Sequence, residues 1–304
     1  LEAGAPSSIV STPSRTPGNI DHGETGYVVC NHYHRWREDV ELMRGLGVRV
    51  YRFSTAWPRV LPQGTGAANE KGLDFYDRLI DGVLKAGIEP WLCLYHWDLP
   101  QALQEKGGWA NRDSAAWFAD YAALMAARYG DRVKHWATFN EFNVFTLFGY
   151  AIDWGAPGIT DRAQYLQAIH HTNLAHGEGV RVVRDLVSGA RIGGIHNRQR
   201  ILPEKDSAAD RTAAELLHEH WNLAFTEPQL RGAYSPAMAT ALEPYIKPGD
   251  LARIAARTDW LGLNHYGPIF AKADEKAIWG YAWGEAPADA PRTEIGWPIF
   301  PEMF

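Results

Sequence analysis

The chain has 304 residues, 46% hydrophobic and 22% charged, enough to bury one large core or two ordinary ones. Its net charge of −6, with acids and bases interspersed, gives no basic face for nucleic acid, and no apolar run is long enough to span a membrane. Two cysteines are too few for a disulfide framework and lack metal-ligand spacing.

Residues 1–30, rich in Ser, Pro, Gly and Thr without helical or strand period, read as a long surface segment. Helices and strands then alternate. An amphipathic helix over 38–46 ends at Gly47 and leads into an alternating strand over 48–54. A second helix, 71–86, is closed by Gly87 and precedes a strand over 90–97, in which Cys93 reads as a buried thiol. A helix over 114–129 precedes a strand over 134–141, and a helix over 161–186 precedes one over 191–196. Helices at 208–225 and near 249–256 lead to a last strand over 260–266.

Helix–strand alternation of this kind predicts a parallel sheet. Polar and aromatic residues gather at the C-terminal end of each strand, as in a TIM barrel whose site is built at that face. The rival, a doubly wound sheet, would show a Gly-rich phosphate turn, and neither G-x-G-x-x-G nor a P-loop is present. The reading is therefore an α/β fold of the (β/α)8 barrel type, as a single domain over 1–304.

The most informative stretch is Lys134-His135-Trp136-Ala137-Thr138-Phe139-Asn140-Glu141. It ends a strand in an amide and a carboxylate between aromatic rings. Apolar surroundings raise a carboxyl pKa, as a general acid working near neutrality requires. A sugar site needs the same parts: an acid, amides for hydroxyls and rings for the sugar face. The competing reading is a buried Glu paired to an Arg or Lys. Thirteen Trp and thirteen Tyr supply rings in excess, and many stand beside His, Asn or Asp near strand ends.

Five segments resemble glycoside hydrolase family 1, the retaining β-glucosidases and β-galactosidases. They are Tyr51-Arg52-Phe53-Ser54 with Trp57-Pro58-Arg59; Leu94-Tyr95-His96-Trp97-Asp98-Leu99-Pro100 with Gly107-Gly108-Trp109; Thr138-Phe139-Asn140-Glu141; Gly262-Leu263-Asn264-His265-Tyr266; and Gly296-Trp297 with Pro301-Glu302. They fall in the family's order and represent roughly its strands 2 to 6. The resemblance implies Glu141 as general acid/base and Asn140 as partner of the sugar 2-hydroxyl. It implies His96 and Trp97 in the sugar pocket, Arg52 and Tyr266 beside the nucleophilic carboxylate, and Asn264 in the network behind them. Taken alone, Arg52 also fits a tie between strand ends, and His96 a satisfied core histidine. His32, His34, His170, His171 and His176 lack an H-E-x-x-H frame and read as structural or surface residues.

Three departures stand out. Phe142 occupies the position where the family has Pro, which would place a bulky ring beside the acid. The family's first strand, with its sugar-gripping Gln, is missing. No Glu-Asn-Gly, the motif that carries the family's nucleophile, occurs in the chain. Glu294 and Glu302 lie in the right direction along the sequence without that motif. A retaining mechanism needs two carboxyls about 5–5.5 Å apart. Unpaired parallel edges at the 48–54 and 260–266 strands would be an aggregation hazard, which favours a chain that is part of a longer protein.

The expected function is a retaining exo-β-glycosidase acting on a short oligosaccharide or aryl β-glycoside, glucoside before galactoside, conditional on a nucleophile from outside these residues. The alternative is a catalytically impaired barrel that only binds sugar, and a phospho-sugar specificity is a minor third option. No metal, organic cofactor, nucleic acid or membrane is called for, and a homo-oligomer is allowed. A soluble cytoplasmic protein is the default, although a removed signal peptide would leave no trace. Abundant Ala and Arg relative to Lys suggest a bacterial coding sequence.

Overall fold

The computed structural model of the protein describes residues 8, 9 and 30–303. The surface segment expected over 1–30 and the missing first strand therefore lie almost wholly outside the described residues. The strands are β1 Val50–Ser54, β2 Glu89–Tyr95, β3 His135–Asn140, β4 Arg191–Asn197, β5 Ile201–Pro203, β6 Trp260–Asn264, β7 Ile269–Ala273 and β8 Tyr281–Trp283. The longer helices are α1 His32–Gly45, α2 Glu70–Lys85, α3 Ser114–Tyr129, α4 Phe142–Tyr150, α5 Arg162–Leu186, α6 Ala208–His218 and α7 Ala224–Arg231.

Local chemistry sets most of these boundaries. In α2, Leu73, Tyr76, Leu79, Ile80 and Val83 form a buried stripe at helical spacing. Gly87, at φ 76°, then takes the left-handed conformation that ends the helix cheaply. Asp161 caps α5 by accepting from the Gln164 amide at 2.7 Å, and Ser207 caps α6 by accepting from Asp210 at 3.0 Å. Helix α1 begins six residues earlier than its sequence pattern, because His32 to Arg37 carries little apolar period. The helix expected over 208–225 is broken by a wide π turn at Glu219–Leu223 before α7 resumes.

Five strands form one parallel sheet in the order β1-β2-β3-β4-β6. The sheet is strongly curled. Trp91 on β2 and Trp260 on β6 have ring centroids 5.4 Å apart, although β3 and β4 lie between them. In a flat sheet those strands would stand about 14 Å apart. Such curling is the geometry of a (β/α)8 barrel. The outer face packs on the helices around an aromatic core in which Trp57 stacks on Tyr121 at 4.7 Å and Phe139 on Phe118 at 4.4 Å. Many of the rings counted in the sequence thus serve as core. Cys93, on the inner side with Ala137 and Ile195, is fully buried, and that burial pushes its thiol up to about 11.

Two glycines on β4 make room for this packing. A Cβ on Gly193 would meet the Trp260 carbonyl at 2.2 Å, and one on Gly194 would meet two Phe142 ring carbons at 2.9 Å. Among the described residues the sheet edges are β1 and β6, and on β6 Leu261 and Leu263 are 41% and 57% exposed. A separate sheet, β5-β7-β8, lies beyond the strand ends and was not legible in the sequence, since β5 and β8 have three residues each. Among the described residues no helix is long and apolar enough to cross a membrane.

Three buried histidines make stability pH-dependent. Burial lowers His176, His196 and His220 from 6.5 to about 3. Between those values the unfolded chain binds more protons, so stability is full above pH 6.5 and falls on acidification towards 3. Asp98 opposes this: burial pushes it up to about 7 from 3.8, so its contribution is lost as pH rises through that window. Three groups outweigh one. Urea unfolding at pH 7, 5 and 4 is expected to show a falling midpoint, and an equal or higher midpoint at pH 5 would contradict this account.

Candidate active site

The residues singled out from the sequence converge at the C-terminal ends of the parallel strands. Arg52 comes from β1, His96 and Trp97 from the end of β2, Asn140 and Glu141 from β3, and Asn264 and Tyr266 from β6. A β-bulge helps to direct Asn140. Between Ala137 and Asn140, β3 spends three residues where β4 spends two, from Gly193 to Ile195. An extra residue flips the side-chain alternation and turns Asn140 to the face of Ala137. The next residue, Glu141, has φ 54°, and Trp97 has φ 78°, so two cleft residues sit in the left-handed region. Such strain is held only where surrounding structure over-determines it, at about 1–3 kcal/mol per residue.

Glu141 is 4% exposed. Its Oε1 accepts from Asn264 Nδ2 at 2.7 Å and Asn197 Nδ2 at 3.1 Å, with the Tyr266 hydroxyl at 3.5 Å. Its Oε2 has no hydrogen bond among the described residues. No Arg or Lys among the described residues pairs with it, so there the reading as one half of a buried ion pair fails.

A second chain of bonds crosses the cleft floor. Arg52 Nη1 donates to Asn140 Oδ1 at 3.0 Å, which leaves Asn140 Nδ2 to donate to His96 Nε2 at 3.1 Å. His96 Nε2 is then an acceptor, so Nδ1 carries the proton and donates to Ser54 Oγ at 3.1 Å. The His96 ring opens on the cleft but stands among protein atoms. Desolvation first, and the Arg52 charge second, lower it to about 4, so it is neutral at ordinary pH. Trp97 Nε1 donates to the Asn140 carbonyl at 2.7 Å. Arg52 thus does tie strand ends, yet it has no carboxylate partner among the described residues.

Beside Glu141 lies a cavity of about 540 Å³, walled by Phe148, Trp154, Trp221, Trp283 and Trp297. Trp154 and Trp283 stand 4.9 Å apart. Phe148, Trp154 and Trp283 come from α4, the loop after it and β8, none of which the sequence pattern marked; Trp221 comes from the π turn inside the helix expected over 208–225, and Trp297 from the Gly296-Trp297 segment already singled out. Asn197 and Gln199 were missed as well, although Asn197 ends β4 in the manner that flagged Asn140 and Asn264.

One expectation needs correction. Phe142 does not crowd the acid: it is fully buried, stacks on His196 at 4.8 Å and is absent from the cavity wall. As the first residue of α4 it points into the helix layer, where apolar burial favours it. Glu294 and Glu302 are exposed and do not line the cavity, whose other carboxylate is Glu285. The histidines of α5 serve separate bonds: His170 to Asp250 and Tyr234, His171 to the Trp109 carbonyl, His176 to Thr138.

A family model described as glycosyl hydrolase family 1 matches residues 1–303. The chain belongs to glycosyl hydrolase family 1. Among its relatives in family 1, Beta-glucosidase A of Thermotoga maritima is 42% identical over 306 residues, covering 99% of this chain and 68% of that protein. A 1,4-beta-D-glucan glucohydrolase of Thermotoga neapolitana is 41% identical, over 99% of this chain and 72% of its own length. The solved family 1 β-glucosidase from Thermotoga maritima superposes with a TM-score of 0.91, covering 100% of this chain and 69% of that one. The same enzyme has been solved in complex with deoxynojirimycin. The family 1 fold is the (β/α)8 barrel indicated by the curled parallel sheet.

Proposed function

We propose that the chain is a retaining exo-β-glycosidase that hydrolyses β-glucosides of short oligosaccharides or aryl alcohols, with Glu141 as general acid/base. One observation carries this reading. Three donors fix Oε1 of a buried carboxyl, while Oε2, on a residue that lines an aromatic cavity, has no hydrogen bond among the described residues. A free oxygen held in place is what proton transfer to a leaving-group oxygen requires. Relatives named as β-glucosidases and a glucan glucohydrolase support the substrate class.

In this mechanism Glu141 Oε2 protonates the glycosidic oxygen and later takes a proton from water. Asn140, oriented by Arg52 and neutral His96, holds the sugar 2-hydroxyl, and that bond strengthens as charge develops at the anomeric carbon. Trp97 and His96 bound the sugar pocket. Arg52, without an ion pair among the described residues, and Tyr266 flank the place of the attacking carboxylate, with Asn264 behind. Phe148, Trp154 and Trp283 offer faces to the leaving group.

A second reading has support of its own. Glu285 is the cavity's one other carboxylate and Glu-Asn-Gly is absent from the chain, so a barrel that binds sugar without turning it over fits these residues too. Proton NMR of aryl β-glucoside hydrolysis separates the two. Under the first, the β-anomer of glucose appears before mutarotation. Release of the α-anomer would exclude retention, and sugar binding without release would establish the second.

A further inference from the structure

The donors that hold Glu141 are themselves set by a residue with no place in the mechanism above. Gln199 follows β4, is 7% exposed, and reaches both sides of the acid. Its Oε1 accepts the backbone N–H groups of Tyr266 at 3.3 Å and Gly267 at 3.2 Å. Backbone N–H groups only donate, so the orientation of the Gln199 amide is fixed. Its Nε2 must then donate to Asn197 Oδ1, at 2.5 Å. With its oxygen occupied, Asn197 can offer only Nδ2 to Glu141, and it does so at 3.1 Å.

Gln199 is clamped in turn. Asn222, in the π turn, accepts from the Gln199 N–H at 3.3 Å and donates to its carbonyl at 2.8 Å. The wide turn is the device that presents this side chain, as π turns commonly do near sites.

Resting on the acid/base assignment of Glu141, we infer that Gln199 is a positioning residue: it dictates the Asn197 amide orientation and holds the Tyr266 loop, so that both meet one oxygen of the acid. The other oxygen is thereby kept for the substrate. Glu at this position has the same shape but no donor. It would draw the Asn197 NH₂ to itself and turn the Asn197 carbonyl towards Glu141.

Two variants test this. Gln199→Glu is expected to lower kcat/KM for phenyl β-glucoside about 10–100-fold, with little change for 2,4-dinitrophenyl β-glucoside, whose leaving group needs no proton. Equal losses on both substrates, with native thermal stability, would mean a merely structural role and overturn the inference. Crystals of Gln199→Leu give a readout independent of turnover. Asn197 Nδ2 and the Tyr266 hydroxyl are expected to leave hydrogen-bond reach of Glu141, and if both stay the inference is wrong. A native protein that binds sugar but cleaves neither glucoside establishes the sugar-binding reading instead of the proposed activity, and the crystals then judge Gln199 alone.

Discussion

Replacing Glu141 by Gln is expected to lower kcat for a phenyl β-glucoside by about 10²–10⁴-fold, the range a positioned general acid supplies. Gln keeps the shape and can still accept from Asn264 and Asn197, so the fold and the sugar pocket survive. Only the transferable proton is lost. The first step on a 2,4-dinitrophenyl glucoside should therefore remain fast while breakdown of the glycosyl-enzyme stalls, giving a burst. Azide, an anion that needs no general base, should then restore turnover and yield the β-glycosyl azide. Loss of activity on both substrates without azide rescue would remove Glu141 from the acid/base role. Steady-state and stopped-flow kinetics with the two aryl glucosides make the comparison.

The largest expected loss of stability lies away from the cleft, at Asp250. This residue is 1% exposed and joins three parts of the chain. Its Oδ1 accepts from Arg112 Nη2 at 2.5 Å, and its Oδ2 from His170 Nε2 at 2.9 Å and the Lys247 amide at 2.7 Å. His170 Nδ1 in turn accepts from the Tyr234 hydroxyl at 2.9 Å. Burial alone would raise the Asp250 carboxyl, but bonds from Arg112, His170 and Lys247 outweigh it and hold it down to about 2. Its contribution is thus present above pH 3.8 and lost as pH falls through about 2. Asp250→Ala would strand a guanidinium and a buried imidazole N–H, at a cost of about 3–5 kcal/mol. Asn, which retains one acceptor, should recover part of that. Urea unfolding at pH 7 measures both, and a cost below about 1 kcal/mol for Ala would show that the ion pair merely offsets its own desolvation.

Much of the scaffold was legible because its signals are local. The α2 helix closed by Gly87 and the strands ending in Asn or His each depend on a few neighbouring residues. Helix α3 matches its sequence range of 114–129. The wall of the cleft was not legible. Helix α4 is apolar on nearly every side, so it carries no helical period. Strands β5 and β8 are too short for an alternating pattern, and β5 finds its partner β7 only by long-range pairing. Phe142 shows the limit of reading a departure from a motif: the substituted position was visible, but the direction of its ring was decided by Gly194 and His196 across the layer.

The sequence by itself determined the alternation of helices and parallel strands, the acid at the end of β3, and the set of polar residues at the strand termini. Those follow from period, capping and residue type. Only the tertiary structure decided which of them meet: that Asn197 and Asn264 both donate to one oxygen of Glu141, that Arg52 orients Asn140 from two strands away, and that Gln199 governs the donors. Those contacts bridge residues 56 to 123 positions apart, or depend on an amide whose orientation is set by loops from another strand. The curl of the sheet brings them together, and curl is a property of packed neighbours that no short window of sequence contains.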